Sequence, residues 1–270
     1  MGVSTMGLYL YFFDHETYDL HYNCTFYSVE DMPFEKRRRP IFAAIVFILG
    51  VAYEFLYIPC IYAMFKKKVR QAFCYKLMIE MALYDMFTLP LTAFFPAIFS
   101  YNGWMFCSYP TVTFLAGGIL FPLWIGYSMT SLILAINRCL AFSKYSWIFK
   151  GFWREILWLA TPPTATITVA LFGQSITYNS VLGAWFFNPH LRYYADTSNT
   201  YPSTIQFWNN ILFCTILPTV YVWFFINNYT LSKKRMSGMS AKEYRLFIQC
   251  LVVNFTIVGA AAGKFGCHLI

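Results

Sequence analysis

Residues 41–65 read IFAAIVFILGVAYEFLYIPCIYAMF, and Glu54 is the only charge among them. A helix rises about 1.5 Å per residue and a bilayer core is about 30 Å thick, so this stretch is long enough to cross a membrane. Working outward, five further stretches qualify or nearly qualify. Residues 75–99 carry Lys76, Glu80 and Asp85. Residues 109–136 carry no charge, residues 156–172 are short, residues 205–226 are uncharged, and residues 246–262 form the last. The expected fold is therefore all-α, a polytopic bundle of transmembrane helices with six readable spans. Residues 1–40 form a segment ahead of it and residues 263–270 an atypical end. Pro59, Pro90, Pro96, Pro122, Pro162, Pro163 and Pro218 fall inside these stretches. In water they would argue against long helices. In a bundle, neighbouring groups satisfy the freed carbonyls, so they read as kinks.

The composition agrees. Of 270 residues, 59% are hydrophobic, 21% aromatic and only 12% charged, about half the charged share of a soluble domain. The mean hydropathy is +0.50. A disordered chain needs high charge and few aromatics. A soluble globule of this length lacks the interior to hide so many apolar side chains. Lipid is the expected partner for most of the surface. The net charge of +8 is first a topology signal in such a chain, and nucleic acid is not an expected partner.

With the N-terminus outside, thirteen Lys and Arg fall in inner loops: Lys66, Lys67, Lys68, Arg70, Arg138, Lys144, Lys150, Arg154, Lys233, Lys234, Arg235, Lys242 and Arg245. Six fall outside: Lys36, Arg37, Arg38, Arg39, Arg192 and Lys264. That bias favours an outer N-terminus, at the plasma membrane. The cluster Lys36 to Arg39 runs against it. Asp14, Glu16, Asp19, Glu30, Asp31 and Glu35 share its segment as expected partners. No cleavable signal peptide is expected, because the apolar run from Leu8 to Phe13 is short and no basic region precedes it. Met6 stands where a myristoylation signal needs Ser or Thr. Asn23-Cys24-Thr25 is a glycosylation sequon on the outer side; the sequons at Asn228 and Asn254 fall at the inner edge and within a span.

Cys60, Cys214 and Cys250 lie within spans, where they behave as small apolar residues. Cys74 and Cys139 fall at the reducing inner face. Cys24, Cys107 and Cys267 remain outside. A Cys24–Cys107 disulfide would pin the N-terminal segment over the mouth of the bundle; two free thiols are the other reading.

The signatures of several activities are missing. His15, His21, His190 and His268 are scattered and outside the spans, so neither a His-rich metal site nor HExxH is present. There is no phosphate-binding glycine loop, dinucleotide fingerprint, arginine ladder or pair of interrupted half-spans. No enzyme and no cofactor is expected. Three intramembrane carboxyl groups are present instead. Glu54 and Asp85 sit near the middle of adjacent spans and could share a proton or a cation. Glu80 follows Lys76 by four residues, a spacing that permits pairing. The plainer reading is that these groups hydrogen-bond helices together.

The third span ends Leu134-Ala135-Ile136-Asn137-Arg138-Cys139. It resembles the third helix of serpentine, G-protein-coupled-type receptors, with Asn137 where an acidic residue usually precedes the Arg. An ordinary positive-inside residue is the simpler account of Arg138 alone. More residues extend the match: YNCTFY at 22–27, RRPI at 38–41, YEFLYIPC at 53–60, CYK at 74–76, FCSYP at 106–110 and AWFFNPH at 184–190. Together they resemble the T class of nematode serpentine chemoreceptors, over residues 22 to 255. The resemblance implies a seven-helix receptor for external small molecules, coupled inside to a heterotrimeric G protein that Asn137 and Arg138 would face. The family asks for seven spans where six are readable, and residues 259–270 are Ala/Gly-rich. A shortened receptor is therefore one expectation.

A receptor pocket would open outward between helices. Candidates are Phe94, Phe95, Trp104, Tyr109, Phe114, Trp185 and Trp208, with Phe186, His190, Phe207 and Asn209 beside them. They suit small, mostly apolar ligands. Aromatics at these depths also form interfacial belts. The alternative function is a small transporter or channel that uses Glu54, Glu80 and Asp85 as a relay.

Overall fold

The computed structural model describes residues 7–25, 28–67, 71–140, 145–192 and 201–234, the last with only the backbone of residues 224, 225 and 227–234. Residues 246–262, read above as a span, lie outside the described residues, as do Asn254, Cys250 and Cys267.

Nine α-helices and one hairpin make up the described chain. Two short helices, α1 (Leu8–Phe13) and α2 (His15–His21), and the single turn α3 (Phe34–Arg37) precede the first long helix, α4 (Pro40–Met64). Next come α5 (Phe73–Leu89) and α6 (Phe95–Asn102), joined by one π-helical turn over Pro90–Phe94. Then follow α7 (Pro110–Leu140), α8 (Phe152–Phe172), the strands β1 (Thr177–Asn179) and β2 (Ala184–Phe186), and α9 (Thr204–Lys234).

Five helical segments are long and apolar enough to span a membrane: Phe34–Met64, Phe73–Asn102, Pro110–Leu140, Phe152–Phe172 and Thr204–Trp223. Their outward faces are greasy. Phe55 is 69% exposed, and Ile48, Leu157 and Ile167 are similarly bare. A soluble protein would hide such an area; a bilayer solvates it. Hydroxyls bond back to carbonyls of their own helices, which leaves no donor unpaired toward lipid. Ser128 donates to the Trp124 carbonyl, Thr130 to Gly126, Thr168 to Thr164 and Thr219 to Thr215, each four residues back.

The chain divides into two compact units. The first comprises Met1–Thr130 and Leu157–Ser203. In it α4 packs on α5 and α6. Gly50 permits that approach, since a Cβ there would lie 2.6 Å from the Cβ of Ala93. Pro40 starts α4 at its first position, where its missing N–H costs no bond. Gly103, with φ +66°, ends α6 in the left-handed conformation that favours glycine. The hairpin pairs Tyr178 with Trp185 in antiparallel register. The Asn179 side chain shapes its turn by accepting from the amides of Val181 and Leu182 at 3.0 and 3.2 Å.

The second unit comprises Ser131–Ile156 and Thr204–Ile270. Its described core is Ala135 against Phe213, Leu217 and Tyr221. Cys139 donates to the Val220 carbonyl. Arg154 donates to the Trp147 carbonyl and stacks over that ring.

Candidate ligand site at the capped end of the bundle

One end of the first unit gathers the start of α4, the end of α6, the start of α7, the end of α8 and the hairpin. The N-terminal segment is tied down there. Cys24 and Cys107 form a disulfide, with Cα atoms 5.6 Å apart. His190 adds a second tie, its Nε2–H donating to the Asn23 carbonyl at 3.0 Å. Leu10, Tyr18 and Tyr22 close over Phe106 and Phe114 in one buried cluster. The ring of Tyr22 meets Phe114 edge-on at 4.7 Å and stacks on Tyr18 at 5.3 Å. Burial raises the pKa of both phenols, so both stay neutral. Segment and helix are in close contact: a Cβ on Gly118 would lie 2.6 Å from Leu8.

The basic cluster has a local explanation. Arg37 donates to the carbonyls of Met32 and Gly103, Arg38 to Tyr101, and Arg39 to Leu182. Arg38 also lies 4.7 Å over the Tyr101 ring. Among the described residues no ion pair joins these arginines to Asp14, Glu16, Asp19, Glu30, Asp31 or Glu35. The cluster caps loop carbonyls at the membrane edge instead of neutralising the acids.

Beneath the hairpin lies a second cluster. Leu120, Phe121 and Ile125 of α7 pack with Ile176 and Phe187, flanked by Leu91, Met129, Val169, Trp185 and Tyr201. Phe95 lies 5.2 Å from the indole of Trp185 and stacks on Phe99 at 4.1 Å. Tyr178 meets Trp185 at 5.4 Å and shares a 2.6 Å hydrogen bond with Ser100.

The aromatic candidates separate into different surroundings. Phe95 and Trp185 meet under the hairpin. Phe114 is fully buried (0% exposed) in the tyrosine cluster. Trp104 and Tyr109 pair with each other at 4.6 Å. Phe94 faces Phe47 of α4 at 5.4 Å. Trp208 belongs to the second unit, 56% exposed beside Phe207. Sequence reasoning missed Phe99, Phe121, Tyr178 and Phe187. The turn residues Asn179 and Gly183 were the available signal for a hairpin that folds Tyr178 and Phe187 inward.

Two of the intramembrane polar side chains bond across helices. Tyr57 donates to Asp85 Oδ2 at 2.5 Å, so Asp85 meets a phenol of α4 three residues beyond Glu54. Tyr84 and Thr166 share a 3.1 Å bond. Gly126 leaves room for them: a Cβ there would lie 2.2 Å from Thr166 Oγ1. The half-buried Glu80 carboxyl lies beside the Thr130 hydroxyl. Glu54, Glu80 and Asp85 do not come together as a set that could hold one ion. Cys24, Cys107 and His190 lie within 4.8 Å of one another. Their sulfurs are already bonded to each other, which leaves no thiolate to ligate a metal. Asn137 and Arg138 are half-buried near the end of α7, in the second unit.

These features define a multi-pass helical membrane protein with a disulfide-tied cap at one end of its bundle. The family model for the serpentine type 7TM GPCR chemoreceptor Srt matches residues 7–263, and the chain belongs to that family. The family is one of receptors. No curated protein and no solved structure matches the chain.

Proposed function

We propose that the chain is a chemosensory receptor of the plasma membrane that takes small external molecules at its capped end and signals to a heterotrimeric G protein. The disulfide between Cys24 and Cys107 is the observation that carries this reading. Disulfides persist in oxidising compartments, which supports a cap that faces outward. The Lys and Arg bias of the loops supports the same orientation. Asn137 and Arg138, at the opposite end of α7 from Cys107, are the residues assigned to the G-protein side. Asn23 is the assigned glycosylation site; its side chain accepts from the Thr25 amide at 2.7 Å, and Thr25 is exposed.

Accessibility of epitopes tests the orientation. A tag ahead of Leu8 should be stained on intact cells expressing the full chain, and Asn23→Gln should remove a glycan mass shift. Staining only after permeabilisation would overturn the orientation. Ligand-dependent G-protein activation that Arg138→Ala abolishes would support the coupling assignment; full activation in that variant would remove it.

A further inference from the structure

The cluster beneath the hairpin holds one polar hydrogen out of balance. Trp185 Nε1 is buried and has no hydrogen-bond partner among the described residues. A buried indole N–H ordinarily finds one, because leaving a donor unpaired costs more than an ordinary bond contributes. The neighbours explain why none is near. Leu120, Phe121, Ile125, Ile176 and Phe187 supply no side-chain acceptor, neither do Leu91 or Val169 around them, and the thioether of Met129 is only a weak one. The Tyr201 hydroxyl at the margin donates to the His21 carbonyl, and its oxygen lies outside hydrogen-bond reach of Nε1. Phe95 and Tyr178 pack their rings against the indole.

The second observation concerns the backbone. The span that carries Phe95 is interrupted by the π turn at Pro90–Phe94. Single π turns inside helices gather at functional sites, because they rotate the following residues onto a new face. Here Leu91 of that turn packs on the cluster and Phe95, directly after it, packs on the indole. Trp185 as a whole is only half-buried, so part of its ring is reachable although its N–H is covered.

We propose that this cluster is the ligand site and takes a neutral, mainly apolar molecule with a single hydrogen-bond-accepting oxygen, which Trp185 Nε1–H binds. The inference rests on the receptor reading and adds the chemical class of its ligand. No charged side chain belongs to the cluster, so an ionic ligand would be buried without a counter-charge. A pure hydrocarbon would leave the donor unpaired. An aliphatic ketone, aldehyde, ester or ether satisfies it and buries its chain against Leu120, Phe121 and Phe187.

The test is photolabelling of the full chain in lipid nanodiscs, which needs no G protein. The probes are an aliphatic ketone carrying a diazirine and the hydrocarbon of the same length carrying the same diazirine. The ketone should label peptides from α7 and the hairpin. Unlabelled ketone should displace it at about tenfold lower concentration than the matched alkane, the ratio expected of one buried hydrogen bond. Trp185→Phe keeps the ring and removes the donor; it should lower ketone labelling about tenfold and leave hydrocarbon labelling unchanged, which also reports that the variant folds. Trp185→His, which restores a ring N–H, should recover part of the loss. Equal displacement by ketone and alkane in the wild-type chain would overturn the proposal, whether or not the variants fold. So would ketone labelling that Trp185→Phe leaves intact, or labels confined to other segments. Ketone binding without G-protein activation would leave this inference standing and overturn the signalling reading instead. Activation by other molecules, unaffected by Trp185→Phe, would do the reverse.

Discussion

Cys24 and Cys107 stand 83 residues apart in sequence and are bonded through their sulfurs. The bond joins the N-terminal segment to the turn just ahead of α7, the helix that supplies Phe114, Leu120, Phe121 and Ile125 to the core of the first unit. Three consequences follow from geometry. Leu10, Tyr18 and Tyr22 are held over Phe114. His190 is brought to the Asn23 carbonyl. The N-terminal segment covers this end of the first unit.

Opening that bond should loosen the cap before it loosens the spans. Closing a loop of this length removes on the order of 4 kcal/mol of unfolded-chain entropy. The double variant Cys24→Ser with Cys107→Ser should lose several degrees of thermal stability in detergent. Limited proteolysis should then cut between Leu8 and Tyr22 first. Unchanged cleavage there would show that packing alone holds the cap.

Gly117 should tolerate no side chain. A Cβ at this position would lie 1.5 Å from the carbonyl oxygen of Ile176, a backbone atom. Gly117→Ala must push the hairpin away from α7, at a cost of about 3 kcal/mol, the upper end for overpacking. Its midpoint of thermal aggregation should fall clearly below that of the wild type. An unchanged midpoint would mean that the hairpin has room to move.

The Tyr57 and Asp85 pair should show coupling. Tyr57→Phe strands a carboxyl group in the membrane interior and should destabilise by about 1–3 kcal/mol. Adding Asp85→Leu removes the stranded group, so the double variant should be no less stable than Tyr57→Phe alone. Strictly additive losses in this double-mutant cycle would refute the pairing.

The arginines and acids of the N-terminal segment should behave as strangers. Asp31→Asn and Glu35→Gln should shift stability by less than about 0.5 kcal/mol, as ordinary surface changes do. Arg38→Ala should cost about 1–2 kcal/mol, since it removes a bond to the Tyr101 carbonyl and a cation–π contact. High salt should leave that loss almost unchanged. A loss that salt erases would restore the ion-pair explanation.

Much of the membrane architecture was legible in residues alone. The apolar run with Glu54, the uncharged run that ends at Asn137 and Arg138, and the prolines inside them all lie in long helices. The pairing of Cys24 with Cys107 was only half legible: Cys267 also fell outside and two free thiols stayed open, and the 5.6 Å approach of their Cα atoms decided it. The aromatic site was only partly legible. Trp185 and Phe95 could be singled out as large rings at the right depth. Their neighbours Tyr178, Phe121 and Phe187 could not, because richness in aromatics is uniform along this chain and carries no position. The hairpin was missed for a related reason: two strands of three residues each leave too short a pattern to read.

The transfer of side chains from water to lipid is close to a sum over residues, so the sequence by itself determined that this chain crosses a membrane repeatedly. That sum needs no partner and no geometry. Which groups meet is another matter. Tyr57 reaches Asp85, Arg38 reaches Tyr101, and Trp185 reaches Phe95, because helices rotate about their axes, because Pro90–Phe94 shifts the register of a span, and because the hairpin folds back on α7. Those angles and shifts are set by packing among distant segments, and only the tertiary structure decided them.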